Sequence, residues 1–175
     1  MIGRLGGGRG GERGVGRAKR DYSHPMKPVR VYLVRHGKAE KQAAHGDAAR
    51  RLTPKGRARF TAFAEQLAPR LEITRVVSSP FARARETAQI LAAATGARLE
   101  ESGELASGTS SGRELLALAR RGGAGVALVG HNPELEEAIA LAAGAEQKVR
   151  PGTIAAIDLL DRGDALAWIE APPKE

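Results

Sequence analysis

The chain has 175 residues, of which 42% are hydrophobic and 27% are charged, and its net charge is +8. It contains no cysteine, which excludes a disulfide framework, a Cys-ligated metal site and thiol catalysis. No apolar run approaches the roughly 18–20 residues that span a bilayer, so we expect a cytoplasmic protein with no membrane partner.

The first predicted element is a disordered basic extension over residues 1–27. Residues 1–30 hold eight Lys or Arg and two acidic residues, and eight of the 22 glycines lie within residues 1–20. Such a segment buries too little apolar surface to offset its ordering entropy. Gly/Arg-rich segments bind phosphate backbones, but no aromatic residue precedes Tyr22. We therefore favour a dispensable extension and do not expect nucleic acid as a partner.

Strands and helices alternate through the globular domain, which is predicted over residues 28–175. Short apolar, β-branched runs are typical of strands buried on both faces, and helical spacing of apolar residues is typical of amphipathic helices. The predicted strands are 29–34, 74–78, 125–130, 153–160 and 165–170, of which the last two form a hairpin. The predicted helices are 54–68, 80 to about 94, 113–121 and 133–144.

The helix starts share a signal in which a polar residue that can cap the helix is followed by proline. It occurs at Thr53-Pro54, Ser79-Pro80 and Asn132-Pro133. Residues 101–112 are rich in Gly, Ser and Thr and are predicted to be a loop. This order of elements predicts an α/β fold: a three-layer sandwich with a mixed, mostly parallel central sheet flanked by helices.

Candidate ligand-binding residues follow the predicted strands at their carboxyl ends, where open α/β sheets bind ligands. Arg35, His36 and Gly37 follow the first strand, His131 follows the 125–130 strand, and Arg83 falls in the first turn of the second helix. Helix N-termini at the same edge favour an anion. Cations, histidines and helix starts together indicate a phosphate site.

The histidines at this site suggest phosphoryl transfer. A neutral imidazole is a nucleophile toward phosphorus, and neighbouring arginines lower its pKa by penalising the imidazolium. Arginine forks also stabilise the equatorial oxygens in phosphoryl transfer. Gly37 allows close approach of the backbone and provides a carbonyl that orients the imidazole.

The segments LVRHGKAE (33–40), SSPFARARETA (78–88) and LVGHNP (128–133) together resemble the histidine phosphatase superfamily, with its phosphoglycerate-mutase-like fold. The short spacing and LTPKG at 52–56 are most similar to the SixA-type phosphohistidine phosphatases. The resemblance implies that His36 is the nucleophile that becomes phosphorylated. It also implies that Arg35, Gly37, Arg83 and His131 bind the phosphate. Arg50 is an additional implied contact, for which Arg51 is an alternative.

A general acid is the least defined part of the predicted site. Ester-cleaving relatives place a glutamate after a central strand, and here Glu104 is the nearest candidate, with Glu101 as a competitor. SixA-type members have no clear equivalent. A phosphohistidine substrate tolerates this, because its phosphoramidate bond has a better leaving group than an alkoxide.

The resulting hypothesis is a metal-independent phosphatase that needs no cofactor and works through a phosphohistidine intermediate. Its expected partner is a phosphorylated protein, such as a histidine phosphotransfer domain. A phosphatase of small phosphate monoesters is an alternative, and a non-catalytic module that binds phosphate or nucleic acid is another. Four scattered histidines without an HExxH motif argue against metal-dependent hydrolysis.

Overall fold

The structure, a computed structural model, describes residues 27–174, and the predicted disorder of the extension falls on residues outside this range, apart from Lys27. Six strands and four α-helices lie within the described residues. The strands are β1 (Val29–Arg35), β2 (Arg75–Ser78), β3 (Arg98–Glu101), β4 (Val126–Gly130), β5 (Ile154–Leu159) and β6 (Asp164–Glu170). The helices are α1 (Pro54–Leu67), α2 (Ala82–Thr95), α3 (Gly112–Gly122) and α4 (Glu134–Ala143).

The six strands form one sheet in the order β3-β2-β4-β1-β5-β6. Strands β3, β2, β4 and β1 are parallel to one another. Strand β5 is antiparallel to β1, and β6 is antiparallel to β5. The predicted mixed, mostly parallel sheet with a terminal hairpin at one edge is therefore confirmed. Since Arg35 pairs with Gly130 and Ser78 with Val129, the carboxyl ends of β1, β2 and β4 lie at one edge of the sheet.

Central strand β1 is buried on both faces because it carries two apolar faces rather than one. Val31 and Leu33 belong to the core formed with α3 and α4. Tyr32 and Val34 belong to the core on the opposite face, formed with α1 and α2. All four residues are at most 1% exposed. The packing of this strand on both faces therefore fixes the position of His36, the residue that follows it.

The helix starts differ in part from the prediction. Thr53 caps α1 as predicted, since its Oγ1 accepts the N–H of Gly56 at 2.9 Å. The predicted caps Ser79 and Asn132 are wrong, because α2 and α4 begin at Ala82 and Glu134 without a side-chain cap. The Ser79 hydroxyl instead contacts His131, and the Asn132 amide donates to the carbonyl of Val149.

Strand β3 was not predicted from the sequence. Its four residues, RLEE, are all exposed, and it pairs with β2 at the edge of the sheet. The strand therefore lacks the apolar alternation that marks a half-buried strand. The predicted loop over 101–112 is also interrupted, since a short 3-10 helix occupies Gly103–Leu105. Within residues 27–174, no helix is long and apolar enough to cross a membrane.

Candidate active site

His36 follows β1 directly and is held in one orientation. Its Nδ1 lies 2.8 Å from the carbonyl oxygen of Gly37, so Nδ1–H donates and Nε2 keeps its lone pair. The Nε–H of Arg83 donates to this Nε2 at 3.2 Å. His36 is buried, with 8% of its surface exposed. The Gly37 carbonyl therefore orients the imidazole as predicted, with Nε2 as the nitrogen available to react.

His131 follows β4 and lies beside His36, with 5.2 Å between the two ring centroids. Its Nε2 is 2.8 Å from Oγ of Ser79, which also accepts the N–H of Phe81. Its Nδ1 is buried and has no hydrogen-bond partner among the described residues. Buried polar atoms are normally paired, so this nitrogen is a candidate ligand-binding atom.

Two arginines adjoin the histidine pair. Arg35 donates from Nη1 to the carbonyl of Val149 at 2.6 Å, while its Nε is buried without a partner among the described residues. Arg83 is 4% exposed and donates from Nη1 to the backbone oxygen of Asp47 and from Nη2 to its Oδ2, at 2.7 and 2.9 Å. The positive charges of both arginines lower the pKa of His36 and that of His131.

Burial is the largest cause of the lowered pKa values of the two histidines, and the neighbouring arginines lower them further, as predicted. It lowers the pKa of His36 to about 3, with smaller contributions from His131 and the two arginines, Arg83 and Arg35. Burial likewise lowers the pKa of His131 to about 4, with Arg83 as the next cause. Both imidazoles are therefore neutral at pH 7, and a neutral imidazole retains the lone pair that nucleophilic attack requires.

One turn of α2 connects several parts of the site. Thr87 accepts the backbone N–H of Gly37 at 3.0 Å and donates to the carbonyl of Arg83 at 2.7 Å. Arg83 and Thr87 are four residues apart, so they lie on the same face of the helix. Thr87 was not predicted as a site residue, because a helical threonine carries no chemical signal of its own.

Buried Glu86, on the same turn, secures the segment that precedes α1. Its carboxylate accepts the N–H of Leu52 at 2.8 Å and pairs with Arg51 and Arg57 at 2.6 and 2.9 Å. Burial raises the pKa of Glu86, but the Leu52 N–H and the two arginines outweigh it and the net shift is downward. Arg51 is thus directed to Glu86, which favours Arg50 over Arg51 as a contact near the phosphate site.

Asp47 links Arg50 to the site. Arg50 donates to Oδ1 of Asp47 at 2.7 Å, while Arg83 holds Oδ2 of the same carboxylate. Hydrogen bonding to Arg50, with that to Arg83, lowers the pKa of Asp47. Asp47 was not predicted as a site residue.

The glutamates considered as acids are directed elsewhere. Glu104 lies in the short 3-10 helix, is exposed, and accepts from Nη2 of Arg121 at 2.9 Å. Glu101 pairs with Nε of Arg85 at 3.0 Å. No hydrogen bond joins either carboxylate to His36 or His131 among residues 27–174.

The arrangement suits a tetrahedral oxyanion. Two neutral imidazoles and two guanidinium groups converge, and Arg35 Nε and His131 Nδ1 are both buried without partners in the described part of the chain. Planar guanidinium forks match phosphate geometry. In that same part of the chain, no three His, Asp or Glu residues are grouped so that they would hold a metal ion.

A model of the histidine phosphatase superfamily (branch 1) matches residues 31–108, the range that contains Arg35, His36, Gly37 and Arg83. No curated protein sequence matches the chain. The structure of the protein histidine phosphatase SixA complexed with tungstate is 27% identical, with a TM-score of 0.71 over 82% of this chain and 97% of that chain.

Two further solved structures are similarly close. A candidate phosphohistidine phosphatase SixA from Agrobacterium tumefaciens is 28% identical, with a TM-score of 0.72 over 83% of this chain and 99% of that chain. A corresponding SixA candidate from Nakamurella is 27% identical, with a TM-score of 0.67 over 86% and 100%. Residues 31–108 thus match the histidine phosphatase superfamily, and the chain has the phosphoglycerate-mutase-like fold of that superfamily.

Proposed function

We propose that this protein is a metal-independent phosphatase that removes phosphate from phosphohistidine on a cytoplasmic protein, through a phospho-His36 intermediate. The observation that carries the proposal is the geometry of His36. Its Nδ1–H is committed to the Gly37 carbonyl, and its neutral Nε2 faces the guanidinium of Arg83. This is a nucleophile paired with a cation suited to phosphate.

In the first step, the bond between phosphorus and the substrate nitrogen breaks as a bond from His36 Nε2 to phosphorus forms. The leaving imidazole, protonated on its other nitrogen, departs as a neutral ring and needs no separate acid. Arg35 and Arg83 hold the equatorial oxygens. With Ser79 Oγ donating to His131 Nε2, the Nδ1–H of His131 is free to donate to a phosphate oxygen.

In the second step, water attacks phosphorus and the bond to Nε2 breaks. Inorganic phosphate leaves, the protons of water pass to the phosphate and to solvent, and His36 returns to its neutral form. Burial favours that neutral form, which promotes release of the phosphoryl group. The arginines already supply the positive charge that the transferred group requires, so the proposed reaction involves no metal ion.

Two features support a phosphohistidine substrate over a small ester. The three solved relatives at 27–28% identity carry SixA names, and one of them holds tungstate, a tetrahedral oxyanion like phosphate. In addition, the hydrogen bonds of Glu104 and Glu101 run to Arg121 and Arg85. An alkoxide leaving group requires an acid, whereas a protonated imidazole does not.

The test is a paired assay of the full chain in EDTA. One substrate is a histidine-phosphorylated phosphotransfer domain and the other is an aryl phosphate, with His36→Ala compared against His45→Ala, a replacement at an exposed histidine. We expect rapid loss of phosphohistidine, slow ester cleavage and an acid-labile phosphoenzyme, all abolished by His36→Ala alone. A preference for the ester would favour a small-molecule phosphatase. Undiminished turnover by His36→Ala would exclude His36 as the nucleophile.

A further inference from the structure

The carboxylate of Asp47 lies between two arginines that are expected to contact the phosphate. Its Oδ1 accepts from Nη1 of Arg50 at 2.7 Å, and its Oδ2 accepts from Nη2 of Arg83 at 2.9 Å. In the free protein, one internal anion therefore occupies donors of two cations that the sequence assigns to the phosphoryl group.

The charge of Asp47 reaches the histidine pair. Hydrogen bonds from Arg50 and Arg83 lower the pKa of Asp47, so its carboxylate is ionised at pH 7. This negative charge in turn acts to raise the pKa of His131, against the larger lowering by burial. A phosphate bound by Arg83 and His131 would therefore lie within range of a second anion, and like charges held by one guanidinium repel each other.

The Asp47 carboxylate can leave Arg83 without disturbing the core. Its side chain is 55% exposed, whereas that of Arg83 is 5% exposed. The loop that carries Asp47 is closed at its base by a β-bridge between Ala39 and Leu52. The backbone oxygen of Asp47 accepts from Nη1 of Arg83 at 2.7 Å. The carboxylate can thus turn to water while the guanidinium keeps its backbone anchor.

We propose that Asp47 is an internal competitor of phosphate. Its carboxylate holds Arg83 and Arg50 in the free protein, releases them to the phosphoryl group of the substrate, and returns to them as inorganic phosphate leaves. The inference rests on the proposed function, because it concerns the substrate and the product of the same site. Only hydrogen-bond partners are exchanged, so Asp47 is a positioning residue. Its effect is to weaken the binding of free phosphate and to promote release of the product.

A purely structural role for Asp47 predicts the opposite effect on phosphate affinity. If the carboxylate only braced the two arginines, its removal would weaken phosphate binding, whereas removal of a competitor strengthens it. Asp47→Asn separates the two roles, because asparagine keeps the shape of the side chain and one carbonyl acceptor but loses the charge. A gain of affinity cannot result from damage to the fold.

The test is a calorimetric titration of the full chain with inorganic phosphate and, separately, with tungstate. Asp161→Asn is the matched control, since it changes the net charge equally at an exposed position. Asp161 follows β5, whose last residue Leu159 pairs with Val29 at the end of β1 remote from Arg35. We expect the Kd of both anions to fall about fivefold in Asp47→Asn and to change less than twofold in Asp161→Asn. An unchanged or raised Kd in Asp47→Asn, or an equal fall in the control, would overturn the proposal.

Turnover separates this proposal from the proposed function. Inorganic phosphate is added as an inhibitor of phosphohistidine hydrolysis, and we expect its inhibition constant to fall in Asp47→Asn by the same factor as its Kd. Hydrolysis with equal phosphate affinities in Asp47→Asn and the unmodified protein would overturn the competition and retain the phosphatase. The expected gain of affinity without hydrolysis by the unmodified protein would retain the competition and overturn the proposed function.

Discussion

Arg83 donates from Nε to Nε2 of His36 across 3.2 Å, so a cation lies directly on the lone pair proposed to attack phosphorus. Its Nη1 and Nη2 are at the same time held by Asp47. The guanidinium is therefore fixed by its two terminal nitrogens, while its Nε contacts the reactive ring. Lysine cannot reproduce this arrangement, because an ammonium has no planar fork.

The first prediction concerns Arg83→Lys. Loss of the fork should lower kcat/KM by about 10²–10³-fold, in line with the removal of a donor that stabilises transition-state charge. Arg85→Lys, on the same helix but exposed and paired with Glu101, should stay within about twofold. Steady-state kinetics on the phosphoprotein checks both variants, and equal effects would mean that Arg83 has no special role.

The second prediction concerns Thr87→Val. The change keeps the shape of the side chain but leaves the buried Gly37 N–H without its acceptor, which should cost about 1–3 kcal/mol of unfolding free energy. Activity should fall with it, because the Gly37 carbonyl orients His36. Thr95→Val is the matched control, since Thr95 also donates to the carbonyl four residues earlier but accepts no loop N–H. Urea denaturation measures the stability of the two variants, and single-turnover kinetics measures their activity. Equal losses in Thr87→Val and Thr95→Val would contradict the prediction.

The third prediction is a loss of stability in mild acid. The pKa values of His36 and His131 are lowered to about 3 and 4 in the folded state, against about 6.5 in the unfolded chain. Below pH 6.5 the unfolded state thus binds protons that the folded state does not. The free energy of unfolding should therefore fall as the pH drops. At pH 5 it should be lower than at pH 7 by about 2 kcal/mol for each of the two histidines.

Urea titrations at pH 7 and pH 5 measure this loss. His36→Gln should remove about half of the pH dependence, whereas His45→Gln, at an exposed loop position, should leave it intact. If His36→Gln lost as much unfolding free energy between pH 7 and pH 5 as the unmodified protein, other groups would cause the acid sensitivity.

The fourth prediction concerns the acid. Because Glu104 is exposed and paired with Arg121, Glu104→Gln should change phosphohistidine turnover by less than about twofold. This expectation follows from the leaving group, which departs as neutral imidazole. A large loss confined to alkyl phosphates, together with a missing alkaline limb in the pH profile, would assign the acid role to Glu104 after all.

The sheet and the clustering of His36, His131, Arg35 and Arg83 were predictable because both depend on strong signals. Those signals are continuous apolar strands and charged residues at strand ends. Strand β3 was not predictable, since an exposed edge strand such as RLEE is defined by its neighbour rather than by its own side chains.

Other features depended on contacts that no local pattern contains. Ser79 was predicted to cap α2, but this helix begins at Ala82, and the Ser79 hydroxyl contacts His131 and accepts the N–H of Phe81. Asp47 and Thr87 are connected to the site by contacts with Arg83 and Gly37, which are 36 and 50 residues away from them along the chain. Arg50 was predicted from a resemblance, and its contact with Asp47 gives it a physical connection to the site, while its role stays a prediction.

The turn of α2 that carries Arg83, Glu86 and Thr87 has a consequence for how this chain tolerates insertions. Each of these residues holds a different part of the site: the histidine ring, the segment before α1 and the Gly37 backbone. One residue inserted between Arg83 and Glu86 would rotate the following positions by about 100° around the helix axis. Glu86 and Thr87 would then lose their partners together, so this turn has a fixed length, whereas the exposed segment around residues 41–46 is free to vary.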